Sequence, residues 1–168
     1  MIVVETERLL LSRLTAEDAP FILELLTQPS FLQYIGDRGV RDLDTARGYI
    51  ENVSASYARF GFGLYLVTLK ATGEPVGMCG LLKRDSLDDV DIGYAILERF
   101  WRHGYAYEAA AAVIDYGLNQ LRLPRIVAIT DPSNTASIHL LEKLGLRFDR
   151  MVHLPGHEGE SRLFVPAR

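Results

Sequence analysis

A chain of 168 residues, 48% hydrophobic and 24% charged, is long enough for one domain with a sizeable core and too short for two comfortable ones. That composition excludes a disordered or low-complexity protein, and a formal net charge of −4 gives no electrostatic reason to expect nucleic-acid binding. With a single cysteine, Cys79, neither an internal disulfide framework nor a Cys-based zinc site can be built. The N-terminal stretch MIVVETERLLL carries acids where a signal peptide needs a basic flank and a long apolar run, so a cytoplasmic location is expected. No apolar run approaches the ~18–20 residues of a membrane span.

Residues 8–14 (RLLLSRL) read as the first strand. Thr15 is placed to cap a helix whose first turn holds Glu17 and Asp18, and whose apolar face is Phe21, Ile22, Leu25 and Leu26. Pro29 is expected to end it. A loop with Gly36, Asp37 and Gly39 follows, then a second helix capped by Asp42 or Asp44 and running to about Phe60. Two helices joined by such a segment suggest a movable cover over a site. Residues 64–69 and 76–82 form a hairpin around the turn at 71–74, and Cys79, within the apolar run VGMCGLL, reads as core. An acidic turn at 85–89 leads into a third strand, residues 91–97. There Ile92, Tyr94 and Ile96 share one face, while Asp91, Gly93, Ala95 and Leu97 share the other. Small residues on that second face leave room for something to lie against it.

After this strand a basic-aromatic loop brings Arg102, His103 and Gly104 to a helix that begins Tyr105, Ala106, Tyr107, Glu108 and continues through the small residues 109–112. A helix N-terminus presents unpaired N–H groups and partial positive charge, which suits a phosphate, and a glycine lets the backbone approach an anion closely. An ordinary β–α turn has the same appearance, and both readings stand at this level. Residues 125–130 (RIVAIT) form a strand expected to run parallel to 91–97, because a helix intervenes. Asp131-Pro132-Ser133-Asn134 breaks the chain before a helix through Ile138, Leu140, Leu141 and Leu144, and Gly145 stops it. Residues 146–152 and 161–165 read as a closing hairpin, whose loop holds His153, Gly156, His157 and Gly159. No repeat or linker divides the chain, so one α+β domain over residues 1–168 with a mixed sheet is expected. Nucleotide-binding loops of the G-x-x-x-x-G-K-[ST] or G-x-G-x-x-G type are missing from the sequence.

Four segments in this order resemble the GNAT superfamily of acyl-CoA-dependent N-acetyltransferases, over essentially the whole chain. They are TERLLLSRLTAEDA, TGEPVGMCGL, DIGYAILERFWRHGYAYEA and NTASIHLLEKLGLR. More narrowly the chain resembles the Rim-type branch, whose named members acetylate ribosomal-protein N-termini. The resemblance implies a mixed, mostly antiparallel twisted sheet of about seven strands flanked by about four helices. Three positions depart from the pattern. Trp101 stands first in the superfamily motif Gln/Arg-x-x-Gly-x-Gly/Ala. Arg102 follows it where the branch often has glycine, a change that suits the site only if the backbone needs no positive φ. Ser12-Arg13 replaces the usual Arg-Pro end of the N-terminal strand.

The resemblance implies acetyl-CoA as co-substrate and an amine as acceptor, joined by direct attack in a ternary complex. Backbone N–H groups of Arg102, His103, Gly104, Tyr105, Ala106 and Tyr107 would hold the coenzyme pyrophosphate. The pantetheine arm would lie along Ala95, Ile96 and Leu97, with an N–H near Leu97 as oxyanion donor. Asn134 and Ser137 match an Asn-x-x-Ser pattern on the second coenzyme-facing helix, Ser137 as donor to the departing thiolate; helix capping is the alternative for both. Asp91 matches an acidic general-base position, acting directly or through water. Its alternative is a solvated strand start beside Asp85, Asp88 and Asp89. Glu108 reads as a structural first-turn acid, His139 as surface and His103 as loop packing.

Acceptor chemistry bears on how much help the base must give. An α-amine with pKa ~8 is about a tenth neutral at pH 7, whereas lysine at ~10.4 is neutral to less than a thousandth. An α-amine therefore needs much less help, and the resemblance implies an acceptor that is either a protein N-terminus or a small molecule. No nucleophile triad points to a covalent acyl-enzyme. No metal, nucleic acid or membrane is implied, and the chain is read as monomer or homodimer. The competing reading is a non-catalytic, regulatory module that binds acyl-CoA.

Overall fold

The computed structural model describes residues 1–157 and 159–167. Eight strands form one sheet in the order β1-β2-β3-β4-β5-β6-β8-β7. They are β1 (Ile2–Glu5), β2 (Leu9–Arg13), β3 (Leu64–Leu69), β4 (Pro75–Leu82), β5 (Val90–Ile96), β6 (Ile126–Thr130), β7 (Leu146–Val152) and β8 (Ser161–Pro166). Every neighbouring pair is antiparallel except β5 and β6, which the helix between them makes parallel. Five α-helices accompany the sheet: α1 (Ala19–Thr27), α2 (Pro29–Tyr34), α3 (Leu43–Phe60), α4 (Tyr105–Asn119) and α5 (Thr135–Lys143).

The mixed α+β architecture stands as expected, with one more strand and one more helix than about seven and about four. The extra strand is β1, whose residues 2–5 pair with β2 at the sheet edge and are mostly half-exposed. The extra helix arises at Pro29. This residue begins α2 rather than merely ending α1, because its missing N–H costs nothing at a first helical position and Gln28 before it is extended. Asp42, not Asp44, caps α3, with its Oδ1 accepting from the Thr45 N–H at 2.8 Å.

Helix α4 lies close on the sheet. Ala109, Ala110, Val113 and Gly117 form its buried stripe. A Cβ at Gly117 would fall 2.6 Å from Ile126 Cδ1 and 3.1 Å from Leu81 Cδ1, so nothing larger than glycine allows this approach without repacking. The Glu108 carboxylate fastens the start of α4 to the β1–β2 turn, accepting from Thr6 Oγ1 (2.5 Å), Arg8 N (2.9 Å) and Arg8 Nε (2.7 Å). Burial works to raise the Glu108 carboxyl, but these bonds outweigh it and hold it below its ordinary value. Its role is structural, as read. Cys79 is fully buried, and burial pushes its thiol well above the usual range. No helix among the described residues is long and apolar enough to cross a membrane.

Candidate active site

The pairing of β5 with β6 stops early. Val90, Asp91 and Ile92 face Ile126, Val127 and Ala128, and beyond that point β6 leaves to pair with β8 through Ala128, Ile129 and Thr130. The second half of β5 therefore has one unpaired edge. A cavity of about 950 Å³ opens there and touches both faces of β5, Gly93 and Ala95 on one and Tyr94 and Ile96 on the other. The Leu97 N–H donates to Val76 O at 2.9 Å, which fixes the alternation along the strand. Residues 91, 93, 95 and 97 direct their backbone groups toward β4, and 92, 94 and 96 direct theirs toward β6. At the gap this leaves the N–H groups of Tyr94 and Ile96. The Ile96 carbonyl is already used, accepting from Gln28 Nε2 at 3.1 Å and Trp101 Nε1 at 2.8 Å.

Leu97 is thereby corrected as an oxyanion donor, since its N–H is spent inside the sheet; the N–H groups directed at the gap are those of Tyr94 and Ile96. Ala95 likewise turns its backbone away from the gap and offers only a small side-chain surface. Of the cover expected from α1, α3 and the segment between them, the end of α1 and the start of α2 are tied to the turn after β5. Gln28 Oε1 accepts from the Glu98 N–H at 3.0 Å, the Glu98 carboxylate accepts from Ser30 Oγ at 2.9 Å, and Arg99 pairs with Glu24 at 2.5 Å.

Past β5 a short 3₁₀ turn, Glu98–Phe100, leads to the loop before α4. Gly104, at φ 80°, caps α4 without any side-chain bond, and the first backbone bond back to it comes from the Glu108 N–H. The N–H groups of Tyr105, Ala106 and Tyr107 are left facing outward from the helix end, as an anion site requires. Arg102 has φ 67°. The condition set for its bulk is thus not met: this L-residue occupies the left-handed region where glycine sits at no cost. His103 packs the loop as read. Its Nδ1–H points at the carbonyls of Phe100 (3.1 Å) and Trp101 (2.9 Å), and its ring stacks on Tyr105.

Asn134 caps α5, with Oδ1 accepting from the Ser137 N–H at 3.2 Å, which leaves its amide N–H groups to donate elsewhere. The Ser137 hydroxyl lies 2.6 Å from the Tyr94 hydroxyl. Burial pushes the Tyr94 phenol above its ordinary range, so it stays protonated. Sequence reasoning missed Tyr94, because alternation alone assigns it to the packed face of its strand. Only the parting of β5 and β6 brings that face to α5.

Asp91 lies at the other end of β5 and is fully buried, unlike the exposed Asp85 and Asp88 and the half-buried Asp89 of the turn before it. Its Oδ1 accepts from Arg84 Nε at 3.1 Å, and its Oδ2 is buried with no hydrogen-bond partner among the described residues. Burial pushes this carboxyl up from 3.8 to about 6, against the opposing pull of Arg84 and Lys83. A buried acid that titrates near neutrality and keeps one free oxygen at a cavity wall is equipped to take a proton. His139 is not among the residues lining the cavity, in keeping with its reading as surface.

The cavity wall also includes Arg38, Tyr49, Asn52, Ser56, Arg84 and His157, of which Arg84 is bonded to Asp91. Burial raises the Tyr49 phenol to about 12 and lowers the Arg38 guanidinium. The His157 imidazole is lowered by burial and by the charges of Arg38 and Arg84. None of these side chains stood out in the sequence, for they come from three separate loops and one helix.

Comparison with known proteins places these features. Residues 8–147 match the family model described as the acetyltransferase (GNAT) domain. The uncharacterized N-acetyltransferase p20 of Bacillus licheniformis is 32% identical over 143 residues, 84% of this chain and 80% of that protein. Among solved structures, an acetyltransferase from Agrobacterium tumefaciens strain C58 superposes with a TM-score of 0.82 at 28% identity, covering 98% of this chain and 94% of the other. The ribosomal α-N-protein acetyltransferase RimL, solved in complex with coenzyme A, shares the fold (TM-score 0.83, covering 98% and 97%) at 17% identity.

Proposed function

The chain belongs to the GNAT acetyltransferase family, and we propose that it transfers the acetyl group of acetyl-CoA to a primary amine, a Rim-like protein N-terminal α-amine or a small α-amine, by direct attack in a ternary complex. The observation that carries this reading is the unpaired edge of β5. It lies between an uncapped helix N-terminus and a buried carboxylate that titrates near neutrality.

The chain's own groups divide the work. The N–H groups from Arg102 to Tyr107 hold the pyrophosphate, with charge-assisted bonds worth roughly 1.5–3 kcal/mol each. The pantetheine arm adds to β5 along the backbone of Tyr94 and Ile96, as an extra strand would. The Ile96 or Tyr94 N–H meets the negative charge that forms on the thioester oxygen when the amine nitrogen attacks. Three residues of strand separate Asp91 from Tyr94, about 10 Å, so the amine proton reaches the Asp91 carboxylate through water. When the carbon–sulfur bond breaks, the Ser137 hydroxyl, itself bonded to Tyr94, donates a hydrogen bond to the departing thiolate, which takes its proton from the attacking nitrogen through water. The Asn134 amide donates to the arm from the α5 side.

Thiol release from acetyl-CoA, followed across N-terminal peptides, internal-lysine peptides, polyamines and amino acids, tests this reading. Release that depends on an α-amine supports it. Coenzyme binding with no amine-dependent release from any acceptor would overturn it in favour of a regulatory module.

A further inference from the structure

The charged side chains of the cavity separate along β5. Arg102, Lys143 and Asp131 belong to the coenzyme end: the Lys143 ammonium sits over the Tyr107 ring at 4.2 Å, and Asp131 holds the Ser133 N–H beside Asn134. Arg38, Arg84, Asp91 and His157 belong to the other end, since Arg84 is bonded to Asp91 at 3.1 Å. Asp91 and Ile96 are five residues apart, about 16 Å of strand, so the two arginines lie well away from the helix end that receives the pyrophosphate. They are not counter-ions to the coenzyme.

Their donors are available. Arg84 uses Nε on Asp91, and its two terminal nitrogens make no bond among the described residues. The Arg38 guanidinium likewise has no ion pair among the described residues. Asp91, with its Oδ1 on Arg84, is the only acidic side chain on this part of the wall among the described residues. Among the described residues this end of the cavity is therefore cationic, even though the whole chain carries a net charge of −4. A polyamine or a lysine flanked by bases would bring positive charge to two arginines. A carboxylate would instead receive paired, charge-assisted donors.

We propose that Arg38, Arg84 and His157 form a carboxylate subsite, and that the enzyme selects acceptors whose reacting amine carries a carboxylate a few bonds away. The inference rests on the reading of the chain as an amine acetyltransferase. A carboxylate on the free nitrogens of Arg84 lies next to Asp91, which the amine proton reaches through water over about 10 Å of strand, so the acceptor must extend from the thioester toward Asp91. A peptide N-terminus with an acidic side chain in its first two residues spans more of that distance than a free α-amino acid does. In either case the neutral amide analogue leaves the arginines unpaired and is rejected.

The test compares thiol release for matched pairs: free amino acids against their amides, and C-terminally amidated tetrapeptides with Asp or Glu against those with Asn or Gln at the first two positions. The carboxylate member should have a kcat/KM at least about tenfold higher in one arm, and that arm names the source. Arg38→Met should bring the acid-to-amide ratio near unity, and Arg38→Lys should keep part of it. Equal rates for acid and amide, or an undiminished ratio in Arg38→Met, would overturn the subsite while leaving the acetyltransferase reading intact. A second measurement does not need turnover. The His157 imidazole, which faces Arg38, Arg84 and His153, is titrated by NMR with N-acetylglycine and with N-acetylglycinamide. The acid alone should move its pKa upward, toward its ordinary value. A pKa moved by neither probe would refute the subsite.

Discussion

Replacing Asp91 by asparagine should make the protein more stable and less active, and the two effects should follow different pH courses. Burial raises the Asp91 carboxyl from 3.8 to about 6, so the folded state holds this proton more tightly than the unfolded chain. A rise of that size corresponds to about 3 kcal/mol, an upper bound on what the buried charge costs the fold. The sign follows from proton binding: between the two values the native state carries more protons, so stability falls as pH rises, and above about pH 6 the full cost is present. Asparagine removes the charge and keeps an oxygen for Arg84 Nε. Arg84, whose side chain is 27% exposed, is not stranded in an apolar interior, so the loss of its ion pair is the smaller effect. Urea unfolding should therefore show Asp91→Asn more stable than the parent by about 1–3 kcal/mol at about pH 8, with the gain cut to about a third near pH 4.5 and gone below about pH 3. Turnover should fall by about a hundredfold near neutrality, the lower end of what a general base contributes, and recover partly at high pH where the acceptor amine is already neutral. A variant that is less stable than the parent at both pH values would show Asp91 to be chiefly the partner of Arg84. An unchanged pH–rate profile would remove it as base.

Tyr94→Phe should lower kcat by about tenfold with little change in KM for acetyl-CoA, the loss of one buried hydrogen bond to Ser137. In steady-state kinetics Ser137→Ala and the double variant should lose no more than about as much, because the two hydroxyls act as one unit. Arg102→Gly should raise stability by about 0.5–1 kcal/mol in thermal melts, the left-handed strain of about 1–2 kcal/mol relieved less the entropy glycine gives up. Asn134→Asp should keep the α5 cap, and with it the melting temperature, yet weaken acetyl-CoA binding by calorimetry, whereas Asn134→Ala should lose both, the cap being worth about 1 kcal/mol. Unchanged affinity in Asn134→Asp would reduce that residue to a cap.

The features legible in the sequence were those set by neighbours along the chain. The β3–β4 hairpin follows from its turn and flanking apolar runs, α4 from its small-residue stripe, and the loop at Gly104 from a glycine between strand and helix. The motifs pointed to the proposed coenzyme end for the same reason, since Arg102 to Tyr107 and Asn134 to Ser137 are contiguous. What escaped depends on partners far away in the chain. Leu97 was read as an oxyanion donor because nothing local reveals that its N–H is taken by Val76. Arg102 was read as suitable only without a positive φ, and its positive φ is a property of the folded loop. Pro29 was read as a stop because a proline before an apolar run serves equally as a first helical residue. The Arg38–Arg84–His157 grouping joins loops more than forty residues apart and has no local signature.

The location of the site follows from a conflict over β6. Its Val127 and Ala128 pair with Asp91 and Ile92 on β5, while Ala128, Ile129 and Thr130 pair with β8, and a strand in a twisted sheet cannot follow both partners as they diverge. Pairing with β8 wins at the C-terminal end, since β7 and β8 form a full hairpin that draws β6 with it. The cost is an open edge on β5, which an unpaired strand ordinarily must hide. Here Gln28 and Trp101 cover only the Ile96 carbonyl. The remaining N–H groups stay open to an extended arm that can complete the ladder, so the same divergence that exposes Tyr94 to α5 creates the channel joining the coenzyme end to Asp91. Filling the gap with protein, for instance by extending the β5–β6 pairing one residue past Ile92, would strengthen the sheet and abolish the site.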